Sequence, residues 1–130
     1  MREKKGNVLV VEDDASARDA LRALLSPEYE VFVAADGGSA LEILREVPVD
    51  AITLEPWLAG IQGRRLLTEI RRANPQARVI IVTAHRLSLW FDDTVREEVF
   101  DYLPKPFEPR DLLRSVDRAM VRAVAACLSI

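Results

Sequence analysis

Five polar residues, each standing where an apolar run stops, hold the chemistry that can be expected of this chain. Glu12 and Asp13 follow Val8-Leu9-Val10-Val11, Glu55 follows Ala51-Ile52-Thr53-Leu54, Thr83 follows Val79-Ile80-Ile81-Val82, and Lys105 sits inside Tyr102-Leu103-Pro104-Lys105-Pro106-Phe107. Adjacent carboxylates suit a hard divalent cation, which takes oxygen ligands. A hydroxyl and an ammonium can stabilise the oxygens of an anion without acting as nucleophiles. Taken singly, each residue has a plainer explanation. An acid pair after a strand often only caps a helix, a lone threonine packs as a β-branched residue, and a lone lysine is a solvated charge. It is the repetition of one placement that argues for a shared site.

The elements that must position these residues are legible from hydrophobic periodicity. Asn7 to Val11 is a continuous apolar run, too short for a helix and unalternated, as expected of a strand covered on both faces. Asp14 to Leu25 repeats apolar residues at helical spacing (Ala17, Leu21, Leu24, Leu25), with acids at its start and Pro27 after its end. Glu30 to Ala34 is predicted as the second strand. Asp36-Gly37-Gly38 forms a turn, and Ser39 is predicted to cap a helix that Pro48 stops. Further strands are expected at Asp50 to Leu54, Arg78 to Val82 and Asp101 to Pro104, and helices at Arg64 to Ala73, Leu87 to Val99 and Arg110 to Cys127. Strands separated by helices of this length must run parallel, and right-handed crossovers on both faces give an α/β, doubly wound sheet. In such sheets the ligand sits outside the carboxyl ends of the strands. Glu12, Asp13, Glu55, Thr83 and Lys105 all fall at ends of that kind, so they are predicted to converge on one crevice.

The totals narrow the function classes. A chain of 130 residues fits one domain able to bury a core without disulfides or structural metal. A formal charge of −3 offers no overall attraction to nucleic acid, so direct binding to it by this domain is not expected. Cys127 is the single cysteine, which excludes an internal disulfide framework and agrees with a reducing cytoplasm. No apolar run approaches the length of a membrane span, so neither a membrane contact nor secretion is expected. The abrupt apolar end at Val124-Ala125-Ala126-Cys127-Leu128-Ser129-Ile130 suggests a domain, residues 1–130, that forms the N-terminal part of a longer protein.

The ordered set, acid pair, carboxylate, hydroxyl and lysine, resembles the receiver domain of bacterial two-component response regulators over nearly the whole chain. The resemblance implies a five-stranded flavodoxin-like fold of strand order 2-1-3-4-5. It also implies phosphorelay signal transduction rather than enzymatic turnover, and an output module, attached or separate, such as a transcription regulator. In that family Glu12 and Asp13, with the carboxylate at position 55 and the backbone carbonyl of Trp57, would hold a weakly bound Mg²⁺. Thr83, Ala84 and Lys105 would surround the phosphoryl group. Tyr102 would be the aromatic switch, turned inward in the active state, and the Lys105–Pro106 bond a cis peptide that aims the lysine into the pocket. A flavin-binding protein of the same topology is excluded, because the first strand runs into acids instead of a phosphate-cradling loop of glycine, serine and threonine.

One departure from the family dominates. Relatives carry a phosphoaccepting aspartate where this chain has Glu55, and the extra methylene displaces the carboxylate by roughly an ångström, which in-line transfer tolerates poorly. The longer side chain instead reaches towards Thr83 and Lys105, where it can imitate a phosphoryl group. Three readings stay open: a pseudo-receiver biased by Glu55, a receiver still phosphorylated by a histidine kinase, and a structural salt bridge from Glu55 to Lys105 with no signalling role. With three carboxylates facing one lysine, repulsion is expected to raise a carboxyl pKa or recruit a divalent cation. Trp57 and His85 flank the site at positions that tune water access in the family. Arg110, Arg114, Arg118 and Arg122 form a basic stripe on the last helix, opposite acids at Asp92, Asp93, Glu97, Glu98 and Asp101. The pattern suits either a solvated face with local ion pairs or a two-fold homodimer through helix four, strand five and helix five, in which Leu89 and Trp90, off the core stripe of helix four, would mark a partner site if exposed.

Overall fold

The computed structural model describes residues 3–58, 63–85 and 93–128. Strands and helices alternate along them: β1 (Asn7–Val11), α1 (Ala15–Leu25), β2 (Glu30–Ala34), α2 (Gly37–Glu46), β3 (Ala51–Leu54), α3 (Gly63–Ala73), β4 (Arg78–Thr83), α4 (Asp93–Glu98), β5 (Asp101–Pro104) and α5 (Pro109–Leu128). All strand pairs are parallel, and the sheet order is β2-β1-β3-β4-β5, as expected.

The unalternated strands are explained by what covers them. Successive side chains of a strand point to opposite faces, so a strand buried on both sides is apolar along most of its length, with Thr53 of β3 and Thr83 at the end of β4 the buried polar members. Leu9, Val11, Ile52, Leu54, Val79 and Ile81 point into one layer with Ala40 and Leu44 of α2 and Leu66, Leu67 and Ile70 of α3. Val8, Val10, Ala51, Ile80, Val82 and Leu103 point into the other with Leu21 and Leu25 of α1 and Leu112, Val116 and Ala119 of α5. Each valine, leucine or isoleucine of these layers, when wholly buried, stabilises the fold by about 1.5–3 kcal/mol. The two layers clamp the sheet between them, which makes its carboxyl edge a fixed platform.

Local signals set the helix ends. Asp14 caps α1, its carboxylate accepting the Ala17 N–H at 3.3 Å. The cap of α2 is Asp36, whose carboxylate accepts the Ser39 N–H at 2.7 Å, and not Ser39 as expected. The helix begins at Gly37, so Ser39 lies inside the first turn and supplies the orphan donor that the cap satisfies. Asn74 closes α3: its backbone N–H reaches the Ile70 carbonyl and its amide holds the Val49 carbonyl and the Gln76 and Ala77 N–H groups. The expected helix at Leu87 to Val99 is described only from Asp93 to Glu98, and Leu87, Leu89, Trp90 and Phe91 lie outside the described residues. No helix among the described residues is long and apolar enough to cross a membrane.

Candidate functional site: a lysine between two buried glutamates

Strand register brings the polar residues together. Val11 is level with Leu54, Leu54 with Ile81, and Thr83 with Pro104, so the chain leaves β1, β3, β4 and β5 at one edge of the sheet. The ladder continues one residue further: Glu12 N–H donates to the Ala34 carbonyl, Glu55 N–H to that of Val11, and Lys105 N–H to that of Thr83. The backbones of three site residues are therefore fixed by the sheet itself, not by mobile loops.

Glu55 is also held from the far side. Pro56 is buried against Gly63 at the start of α3, where a Cβ would lie 2.8 Å from Pro56 Cβ and 2.9 Å from its carbonyl oxygen. Only a residue without a side chain lets the helix approach this closely. The approach fixes the residue next to Glu55 and limits how the carboxylate can turn.

The Glu55 side chain is 5% exposed and faces inward. Its Oε1 accepts the Thr83 hydroxyl at 2.8 Å and the Trp57 N–H at 3.2 Å, and its Oε2 lies 3.4 Å from Lys105 Nζ. Glu12 is 2% exposed, with Oε1 accepting the Asp14 N–H at 3.2 Å and Oε2 2.7 Å from Lys105 Nζ. Thr83, wholly buried, also accepts the His85 N–H at 3.1 Å, so its hydroxyl is fixed as a donor towards Glu55. Lys105 directly follows β5, and its bond to Pro106 is cis, as expected.

The lysine sits closer to Glu12 than to Glu55, a preference that the sequence did not reveal. Burial pushes the Glu12 pKa above its ordinary value; the hydrogen bonds from Lys105 and Asp14 and the lysine charge pull the other way, and the Glu55 charge adds a smaller upward push. The expected rise in a carboxyl pKa is therefore present, but desolvation leads it and mutual repulsion is its least cause. For Lys105, burial would lower the pKa, yet its hydrogen bond with Glu12 and the charges of Glu12 and Glu55 raise it. The ammonium is held as a cation.

Other expected site residues stand apart. Asp13 is exposed and outside this hydrogen-bonded set, and Ala84 is exposed in the turn after β4. Trp57 contributes its backbone N–H, while its ring, 41% exposed, packs tilted against His85 with centroids 5.5 Å apart. The indole thus leans on the imidazole at the rim and does not plug the pocket. Tyr102 is 39% exposed and so is not turned into the core. Arg18 was not anticipated: its guanidinium donates to the Glu12 carbonyl at 2.9 Å and holds the acid loop against α1. The available signal was a cation four residues after the Asp14 cap, on the turn that faces the acid loop.

Fit to a divalent cation follows from the donor set. All four carboxylate oxygens of Glu12 and Glu55 already face protein donors, and the third acid is turned outward. Among the described residues no three acidic, histidine or cysteine side chains are grouped so as to hold a metal ion. The residues as arranged do not fit Mg²⁺.

Comparison with known proteins identifies the family and the fold. The profile of the response regulator receiver domain matches residues 8–117. An NtrX-like response regulator of Rickettsia conorii is 35% identical over 116 residues, 87% of this chain and 24% of the relative. The DNA-binding transcriptional regulator NtrC of Escherichia coli is 34% identical over 118 residues, 90% of this chain and 25% of the relative. The chain thus spans about a quarter of the length of these relatives. Among solved structures, a CheY-like receiver domain protein of Methanospirillum hungatei superposes with a TM-score of 0.84 at 25% identity, covering 93% of this chain and 98% of that one.

Proposed function

This chain belongs to the response-regulator receiver family, a family of signalling domains, and on that premise we propose that it is a pseudo-receiver whose Glu55 stands permanently in the place of a phosphoryl group. One observation carries the reading. The Glu55 carboxylate is buried, accepts the Thr83 hydroxyl at 2.8 Å and lies 3.4 Å from Lys105 Nζ. These are the two groups that would hold the oxygens of a phosphoryl group on a shorter acid. A carboxylate bears less charge than a phosphoryl group, and the exposed Tyr102 supports an imitation that reaches Thr83 but stops short of the aromatic switch.

The domain, residues 1–130, is proposed to be the N-terminal receiver of a longer regulator acting in the cytoplasm, with transcription as its output by analogy with NtrC. It would act through homodimers formed on α4, β5 and α5, without itself touching nucleic acid. Arg110 and Arg114 border an open groove of about 830 Å³ with Phe100, Leu113 and Asp117, which supports a partner contact there. Arg118 is less available, because it pairs with Asp101 of the same chain at 2.7 Å. A histidine kinase is required only if transfer survives.

The test is incubation with acetyl phosphate and Mg²⁺ followed by intact mass spectrometry. No adduct is expected on the native chain. A stoichiometric, hydroxylamine-sensitive phosphoryl adduct, on Glu55 or on Asp13 or Asp14, would establish the alternative, a receiver still charged by a histidine kinase.

A further inference from the structure

Carboxylates that bind a hard cation must leave oxygens free to face it, and an ammonium placed between them competes for the same position. In this chain that position is taken. Lys105 Nζ lies 2.7 Å from an oxygen of Glu12 and 3.4 Å from one of Glu55. The two remaining oxygens accept the Asp14 N–H, the Trp57 N–H and the Thr83 hydroxyl. Both acids are almost wholly buried, whereas 22% of the lysine side chain reaches solvent. The third ammonium proton can therefore stay hydrated while the other two face carboxylates.

We propose that Lys105 is a tethered cation that closes this acid pocket to divalent metal, so that the state set by Glu55 is held at any Mg²⁺ concentration. The inference rests on the reading of Glu55 as a fixed anion. A covalently attached charge does not lose the translational freedom that a free ion must surrender on binding. A divalent ion entering between Glu12 and Glu55 would have to expel the ammonium from both acids or lie beside it, and like charges a few ångströms apart in a poorly hydrated pocket repel strongly. The length of residue 55 is central to the arrangement. A carboxylate one methylene shorter would draw back from the ammonium and from Thr83, freeing oxygen for a metal.

The experiment is calorimetric titration of the native chain with MgCl₂ and MnCl₂, with Mn²⁺ binding followed in parallel by electron paramagnetic resonance. The native chain is expected to show no saturable site at millimolar metal and no shift in melting temperature. Lys105→Met, which keeps the bulk and removes the charge, is expected to acquire a single site with Mn²⁺ affinity higher by roughly tenfold or more, the scale of one favourable charge interaction. Glu55→Asp serves where Lys105→Met does not fold, and is expected to gain the same site by withdrawing from the lysine. One-to-one metal binding by the native chain, as tight as in either variant, would overturn the inference. A phosphoryl adduct would overturn the fixed-anion reading whatever the metal result, and metal binding without an adduct overturns only the tethered cation.

Discussion

Thr83 has two partners that are both costly to lose. Its hydroxyl donates to the Glu55 carboxylate and accepts the His85 N–H, and the residue is wholly buried. Thr83→Val keeps the shape but leaves a buried carboxylate oxygen with one donor fewer and an amide without its acceptor. Unsatisfied buried groups cost about 1–3 kcal/mol, so the variant is expected to lose stability by that amount, seen as a lower urea midpoint at an unchanged slope. A midpoint equal to that of the native chain would mean that Glu55 does not engage this hydroxyl in solution. The pair of Lys105 with Glu12 shows a different balance. The carboxyl, deeper in the protein, loses more by desolvation than its partners return, whereas the half-buried lysine gains from the association.

Helix ends decide how the elements hold the site. Asp36 caps α2 from an exposed position, and the Ser39 N–H, with the Ser39 hydroxyl behind it, lowers the Asp36 pKa below 3.8. A folded-state pKa depressed in this way stabilises the protein above the unfolded value and loses that contribution as pH falls through the folded value. Asp36→Asn retains an acceptor at the cap but cannot titrate. Melting curves between neutral pH and the acid range are expected to converge for the two proteins only once the native Asp36 is protonated, with the steeper fall below pH 3.8 in the native chain. At the other end of the sheet, α4 stops at Glu98 without the glycine that usually terminates a helix. Its end is fixed from outside: the Arg71 guanidinium donates to the Glu98 carbonyl and, at 2.9 Å, to that of Ala77. A side chain of α3 thus supplies what the local sequence of α4 lacks.

At the scale of the whole molecule, the basic side of α5 offers Arg110 and Arg114, both exposed, beside a groove with an apolar floor of Phe100 and Leu113. Across a two-fold axis these cations would meet exposed Glu97 and half-buried Glu98 of the partner's α4. Arg114→Glu is expected to weaken self-association by about 1–2 kcal/mol, roughly tenfold, in sedimentation equilibrium. Raising salt should erase most of the difference between the two proteins. Self-association that is indifferent to both the substitution and the salt would place the dimer elsewhere. The Arg118 pair with Asp101 is partly solvent-facing and adds at most about 1 kcal/mol to the fold, and it engages one cation of the stripe within the chain.

Strand runs such as Val79 to Val82, helix periods such as Leu66, Leu67 and Ile70, and the polar residues at the strand ends were legible because each depends on neighbours a few positions apart. From those patterns the parallel sheet and the meeting of Glu12, Glu55, Thr83 and Lys105 at one edge could be reached, while the strand order came from the resemblance to the receiver family. The sequence by itself also determined that residue 55 is a glutamate, whose carboxylate stands one methylene further from the backbone than an aspartate's would. Tertiary structure alone decided that Lys105 favours Glu12, that Asp13 and Tyr102 face outward, and that Gly63 locks Pro56. Those choices rest on differences of an ångström between groups dozens of residues apart, set by how two packed layers close on the sheet, and no local pattern encodes a distance of that kind.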